Sequence, residues 1–546
     1  MKEYRLHGPP GTGKTTALST VWVPKAAEKF GGDGVVICSL TRTAAAEIAS
    51  RDVPLPKDNV GTLHALAYRA LGRPQIAETR LGDWNEAEPM YALGHGLRPS
   101  VDLPEIPASG AGNDTVKGDA LMARAQVLRH QRVSRDAWPS DVLHFQRRWE
   151  NWCENEDLVD FTGLIERALQ ECPIAPGAPQ VLIIDEAQDC SVLELQLVRS
   201  WAAQAAYVVL AGDGDQAIYG WRGASARAFL SSDIPEDHNY HLKQSYRVPR
   251  AVHNSAIRWI EQASYRYAVD YQPRDFEGSV LPCIGSSRNA SPIIESVHAD
   301  LEADRSVMVL ATCGYMLNQV TAKLQREGLL FHNPFREQHT AWNPMGSVLE
   351  RVLEFLRPDP KIYGQNSGIW TWKQAYRWSE FIKSKGVLKH GAKAKIKKFA
   401  EDADMADRLI SGEEGRGVFG EEAWRALETA FSSNDPMAWL RENLMDSRQK
   451  GFAYAFAIAD KHGREKLVEE PKIVVGTIHS VKGGQADSVY LIPDLSPSSM
   501  REWSGGKGES RDGIIRTFYV GMTRAKERLQ LCRRWSPQSI DFSIAR

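Results

Sequence analysis

The sequence lacks most of the features that would tie it to a membrane, a metal cluster or a disulfide scaffold. None of its apolar runs approaches the roughly eighteen residues that a spanning helix requires, and Met1-Lys2-Glu3-Tyr4 leads straight into a glycine-rich loop at residue 8. No leader peptide, membrane anchor or membrane partner is expected. Cysteine is scarce: seven residues, at 38, 153, 172, 190, 283, 313 and 532, with no C-x-x-C spacing. That excludes a disulfide framework and gives no sign of a zinc or iron-sulfur site, so a reducing cytoplasm is the expected compartment. Neither charge sign dominates, with 67 Lys and Arg against 69 Asp and Glu and a net charge of -2. A nucleic-acid partner would have to be met by a local basic groove. At 546 residues and 42% hydrophobic content, the chain is globular and too long for one core, and at about 100 to 200 residues each it should hold three or four domains.

What is present begins with Gly8-Pro9-Pro10-Gly11-Thr12-Gly13-Lys14-Thr15, between the strand-like Tyr4-Arg5-Leu6-His7 and the helix-like Thr16-Ala17-Leu18-Ser19-Thr20. It meets every fixed position of the phosphate-loop pattern G-x-x-x-x-G-K-[ST]. Glycines let backbone N-H groups curl toward phosphates, and the following helix offers its positive end. Lys14 reaches the β and γ phosphates, and Thr15 is placed to hold Mg2+. A nucleotide site with Mg2+ as cofactor is expected.

Farther along, Gly34 to Leu40 reads as a buried strand and Thr43 to Ala49 as a helix, an alternation that implies a parallel sheet. Residues 73–158 change character. Pro- and Gly-bearing segments between Leu97 and Gly118 surround helical stretches at Asp119–Gln131 and Asp141–Glu154, which suggests an inserted helical subdomain. The sheet resumes with Val181-Leu182-Ile183-Ile184-Asp185-Glu186. Here Asp185 would hold Mg2+ and Glu186 would orient or deprotonate the attacking water.

A third strand, Tyr207 to Gly212, runs into Asp213-Gly214-Asp215-Gln216-Ala217-Ile218-Tyr219-Gly220-Trp221-Arg222-Gly223-Ala224. This segment resembles motif III of the UvrD/Rep group of superfamily 1 DNA helicases. Other segments follow in the family's order. Leu40-Thr41-Arg42-Thr43-Ala44-Ala45 resembles motif Ia, Gly61-Thr62-Leu63-His64 the next DNA-contacting motif, and Asp160-Phe161-Thr162-Gly163-Leu164-Ile165 the close of the first insertion. Gln244-Ser245-Tyr246-Arg247 is similar to motif IV, Val475 to Gly483 to motif V, and Phe518 to Lys526 to motif VI. The resemblance implies that Gln216 senses the γ phosphate, Tyr246 stacks on adenine, and Arg247 and Arg524 are arginine fingers. It also implies that Leu40, Thr62, His64, Trp221, Thr477 and His479 contact single-stranded DNA.

The fold expected is α/β: two RecA-like parallel-sheet lobes with one ATP site between them, each carrying a mainly helical insertion. No second phosphate loop follows residue 240, but Ser306–Ala311, Ile473–Val475 and Val489–Ile492 are strand-like. The first lobe would comprise 1–72 and 159–240, with insertion 73–158; the second would comprise 241–344 and 468–546, with a reduced insertion 345–467. The activity implied is ATP-dependent 3′ to 5′ movement on single-stranded DNA, acting at single-strand/duplex junctions in a bacterial cytoplasm or that of a phage-infected host. Two alternatives stay open: a translocase or protein-stripping ATPase without robust unwinding, and a non-motor nucleotide-switch subunit of a larger complex.

The chain departs from the family pattern at several places. Only seven residues precede Gly8, leaving no glutamine motif to read adenine; Thr16 stands where an arginine near the base is usual; and Gln485 replaces a glutamate. Relaxed base selectivity is expected. In the second insertion Trp370, Trp372, Tyr376 and Trp378 precede seven lysines between 383 and 398. They are either a duplex-gripping surface or a small core beside a solvated face. Residues 498–513, rich in Ser, Gly and charge, read as a mobile loop.

Overall fold

The computed structural model describes residues 2–545 except 41–44, 46–47, 52, 95–116, 231–233, 339, 365–368, 434 and 506–507, and excepting also the side chains of 117 and 336–342. Residues 41–44 of motif Ia, most of the helix expected at 43–49, and most of the Pro- and Gly-bearing stretch from 97 to 118 therefore lie outside the described residues.

Two compact units are defined by contacts: Met1–Pro282 with Gln485–Arg546, and Cys283–Gly484. In the first, six strands form one sheet: β1 (Glu3–His7), β2 (Val35–Ser39), β3 (Val60–Thr62), β4 (Val181–Asp185), β5 (Tyr207–Gly212) and β6 (Asn239–His241). Their order is β3-β2-β4-β5-β1-β6, and each neighbouring pair is parallel. The central strands are continuous apolar runs because both faces are covered, as a parallel sheet requires. Alternation sorts their side chains: Val35, Ile37, Val181, Ile183, Val209 and Ala211 enter one core, and Val36, Cys38, Leu182, Ile184, Val208 and Leu210 enter another. The carboxyl ends of β4, β5 and β1 are thus neighbours, and each delivers one of the polar segments singled out in the sequence.

The first insertion is mainly helical where described, with one short strand, Gln75–Ile76, paired in parallel with Leu158–Val159. Leu81–Ala87, Lys117–His130 and Ser140–Asn155 surround a core in which Trp84 meets Phe145 and Trp149 edge-on. The same unit holds parallel strands Ala486–Leu491 and Ala525–Cys532. The mobile loop expected at 498–513 is instead two helices, Pro497–Gly505 and Glu509–Met522. Ser496 caps the first through Ser499 N (3.1 Å), Pro497 starts it, and Trp503 stacks on the buried Trp259 with centroids 6.0 Å apart. A Ser-Pro-Ser-Ser helix start and one aromatic anchor outweigh a loop-like composition.

In the second unit, Val307–Ala311 runs parallel to Ile473–Thr477, which also pairs with Phe331 and His332. The parallel sheets carry the α/β, RecA-like class through both units. Among the described residues, eight helices between Ser347 and His462 surround a separate aromatic core. Trp370, Trp372 and Trp378 are 3%, 0% and 0% exposed, packed among Phe355, Phe399, Phe419 and Trp424. They hold the insertion together and are withdrawn from any ligand, whereas Lys385, Lys389, Lys395, Lys397 and Lys398 are exposed. Trp378→Ala should destabilise the second unit by about 3–5 kcal/mol, and Lys385→Ala should change it by no more than about 0.5 kcal/mol, as read by calorimetric unfolding of the full chain.

Candidate functional site

The phosphate loop leaves β1 and turns on two left-handed glycines, Gly11 (φ 75°) and Gly13 (φ 76°), a conformation that costs side-chain-bearing residues heavily. Thr12 Oγ1 donates to Pro9 O at 2.8 Å, closing the loop on itself. The first helical turn begins at Lys14. The stem of this lysine lies over Gly8, where an added Cβ would meet Lys14 carbons at 3.1–3.2 Å.

Lys14 is 8% exposed, and its Nζ sits 2.9 Å from Glu186 Oε1. Burial would lower its pKa, but the carboxylates of Glu186 and Asp185 outweigh that and hold the ammonium protonated. Asp185, 1% exposed, is pushed up to about 6 by burial and then by the neighbouring Glu186 charge. Glu186 itself is left-handed (φ 54°), a backbone state seldom adopted outside glycine and frequent at functional sites. It is held there by Gln188, which the sequence reading passed over. Gln188 Nε2 donates to Glu186, and Gln188 Oε1 accepts from Asp213 N at 3.0 Å. Gln188 therefore ties the end of β4 to the end of β5.

Beyond β5, Gln216 Nε2 donates to Asp213 Oδ2 at 2.8 Å, and Gln216 Oε1 accepts from Arg524 Nη2 at 3.0 Å. Both arginines expected as fingers lie in the same compact unit as the phosphate loop. The loop is clamped by residues 245–271: Tyr246 N donates to Gly11 O (2.8 Å), and Ser245 Oγ and Tyr271 Oη both donate to Pro10 O (2.9 Å). Arg247 Nε reaches Gln485 Oε1 at 2.9 Å, so the glutamine that departs from the family pattern positions this arginine. Tyr246 is 72% exposed. Thr16, where the pattern has an arginine, accepts from Arg51 Nη1 at 2.8 Å; the guanidinium arrives from another segment, which no local motif signals. Burial and then the Arg247 charge push the Arg524 guanidinium down to about 9. Two like charges held this close favour an anion between or beside them.

Thr15 Oγ1 and Asp185 Oδ2 are 3.0 Å apart. A hydroxyl and a carboxylate facing each other beside a phosphate loop fit Mg2+, a hard ion that takes few protein ligands and completes its shell with phosphate oxygens and water. Among the described residues no group of three or more His, Cys, Asp or Glu is placed to hold a metal.

Comparison with known proteins matches this arrangement at both ends of the chain. An AAA domain model matches residues 2–222, and a UvrD-like helicase C-terminal domain model matches residues 440–534. DNA helicase II of Escherichia coli (strain K12) is 22% identical over 95% of this chain and 81% of its own length. The Salmonella typhimurium protein of the same name is 23% identical over the same shares. PcrA of Staphylococcus aureus is 34% identical over 20% of this chain and 16% of its own. Together these matches support a UvrD/Rep-like helicase.

In this UvrD/Rep-like chain the expected DNA-contacting residues are placed unequally. Leu40 is 5% exposed, so its side chain is core and offers nothing to a ligand. Thr62 caps helix Leu63–Ala70 through Ala65 N (3.2 Å), and His64, in its first turn, is mostly buried beside Glu194. Trp221 lies half-buried on the turn Gly220–Arg222, its ring 6.1 Å from that of Tyr219. In the second unit, Thr477 ends its strand and accepts from Ser480 N at 3.2 Å, with His479 half-buried between them in sequence.

Gly11→Ala would bring a methyl to 2.5 Å from Arg247 Cβ and 2.8 Å from Ser245 Oγ. Overpacking of this kind costs about 1–3 kcal/mol and should appear as a roughly tenfold or greater loss of affinity for a fluorescent ATP analogue. Gly31→Ala, at φ 76° but with nothing within 4 Å, should leave that affinity unchanged. Burial holds His64 and His130 at about 4, Glu194 opposing it in both. Unfolded, each takes its proton near pH 6.5. Between about pH 6.5 and 4 the unfolded chain therefore binds more protons, and stability falls as pH is lowered. The melting temperature should drop through that window, and His130→Gln should make the slope shallower.

Proposed function

We propose that the chain is an ATP-dependent DNA helicase or translocase that couples hydrolysis to 3′ to 5′ movement on single-stranded DNA. The observation that carries this reading is Gln216, which bonds both the acid-bearing end of β5 and Arg524 and begins the segment that ends in Trp221. A residue so placed can report the state of the phosphates to the DNA side. The names of the relatives, DNA helicase II and PcrA, support the same reading.

In this mechanism Lys14 exchanges Glu186 for the β and γ phosphates, and the N-H groups of residues 11–15 cradle them. Thr15 and Asp185 hold Mg2+, which neutralises phosphate charge. Released from Lys14, Glu186 orients and deprotonates the attacking water, and Gln188 keeps its carboxylate aimed. Arg247 and Arg524 stabilise the charge that develops on the transferred phosphoryl group, an effect worth about 10^3 to 10^5 in rate. Tyr246 stacks on the base. The division into two lobes with insertions 73–158 and 345–467 belongs to the same reading, as do single-strand/duplex junctions as substrate and a cytoplasmic setting.

Steady-state ATPase with and without single-stranded DNA tests it. DNA should stimulate the wild type strongly; Glu186→Gln should abolish turnover, and Arg524→Ala should lower kcat by about 10^3 or more. Turnover that ignores DNA would refute the motor. The burial of Trp370, Trp372 and Trp378 favours one second reading, translocation without robust unwinding, which a strand-displacement assay run beside a translocation assay distinguishes.

A further inference from the structure

Behind the turn that carries Trp221 lies a buried charged cluster whose members, His64 apart, belong neither to the hydrolytic set nor to the expected DNA contacts. Its centre is Glu194, 1% exposed, in the first turn of helix Val192–Ala202. Glu194 Oε2 accepts from Ser191 N at 2.7 Å, and Ser191 Oγ accepts from Glu194 N at 3.1 Å, a reciprocal helix cap. The cap leaves Oε1 for other partners. It lies 3.4 Å from Arg222 Nη2 and 3.9 Å from His64 Nδ1.

Three segments converge here. Arg222 follows Trp221 directly, and its Nη1 is buried with no hydrogen-bond partner, so Glu194 is the carboxylate that holds it. His64 comes from the Thr62–His64 segment. His130 ends the insertion helix Lys117–His130 and meets Ser191 Oγ at 3.0 Å through Nδ1. It also closes against Gly223, where an added Cβ would lie 2.6 Å from His130 Cβ. Ser191 forms an isolated antiparallel bridge with Ala224, which fixes the far side of the same turn. Burial would raise the Glu194 carboxyl, but Arg222, His130 and His64 outweigh it and hold it down at about 2; at neutral pH it is a carboxylate paired with a guanidinium. Upstream on the same short segment, Gln188 bonds Glu186 and the end of β5. Residues 186–194 therefore touch the candidate hydrolytic acid at one end and the Trp221 turn at the other.

We propose that Glu194 is a positioning residue: it locks Trp221-Arg222, His64 and the end of the insertion helix into one unit, through which single-stranded DNA stacked on Trp221 accelerates hydrolysis at Glu186. This rests on the reading of the chain as a DNA-coupled ATPase. Glu194→Gln is the direct probe, because glutamine keeps the helix cap and removes only the charge. It also strands a buried arginine, which can destabilise the protein, so the double variant Glu194→Gln/Arg222→Gln, with both charges gone, is measured beside it.

ATPase is titrated with an oligo(dT) single strand and, separately, with ATP. Both variants should need about tenfold more oligonucleotide for half-maximal stimulation, within the usual 5- to 150-fold range of coupling between sites, and the KM for ATP should stay within about twofold of the wild type. The double variant should be no worse than the single, since the two residues act through each other. An oligonucleotide requirement within about twofold of the wild type in the double variant would overturn the proposal. So would a KM for ATP that rises in step with it, the mark of general loosening. A wild type whose turnover ignores oligo(dT) would overturn the functional reading, and this inference with it.

Discussion

Lys14 and Arg524 are buried, and Arg247 half-buried, beside Asp185, Glu186 and Asp213 at the carboxyl ends of β1, β4 and β5. Burying charge is costly unless each group is paired, and here the pairing organises everything around it. Lys14 takes Glu186, Asp213 takes Gln216, and Gln216 takes Arg524. A parallel sheet with both faces covered provides the dry wall against which these charges act strongly. The same dryness is what makes the site responsive to a polyanion, since two guanidiniums held near one another gain most from a partner that brings several negative oxygens.

The clamp on the phosphate loop follows from that constraint. A loop built from glycine and proline has little side-chain surface with which to fix itself, so backbone carbonyls are held from outside, by Ser245, Tyr271 and the amide of Tyr246. The arginine-bearing segment 245–247 is therefore registered on the loop before any ligand contact is considered. Gln485 does for Arg247 what Gln216 does for Arg524. Each cation is aimed by a neutral amide, which orients without neutralising it. The Glu194 and Arg222 pair is more completely enclosed than the Lys14 and Glu186 pair, and the cluster around it joins the turn of Trp221 to the insertion. Local charge pairing thus recurs wherever a candidate ligand-contacting segment meets the core.

The family and the fold class were legible in the sequence because both rest on local signals. The phosphate loop needs glycine at fixed spacing, the acid strand needs an apolar run ending in Asp185-Glu186, and the segment from Asp213 to Ala224 is specific over its whole length. The helices at 497–505 and 509–522 were misread because composition alone cannot weigh one cap and one stacked tryptophan against a run of serines, glycines and charges. The tryptophans near residue 370 were open to two readings for the converse reason: an aromatic beside lysines has the same pattern whether it faces a core or a ligand, and only packing against Phe355 and Phe419 decides it.

By itself, then, the sequence determined which groups the chain brings to a candidate site: a lysine in a phosphate-loop pattern, an Asp-Glu pair ending an apolar strand, and two arginines, in an order that resembles one family. Tertiary structure alone decided who holds whom. That Gln188 bridges two strand ends, that Arg51 reaches Thr16 from another segment, that Gln485 aims Arg247 and that Glu194 gathers three segments are all contacts between residues distant in sequence or hidden within a motif. Their partners are fixed by burial, where an unpaired polar group is penalised, and that penalty acts only once the sheet and its covering helices have closed around them.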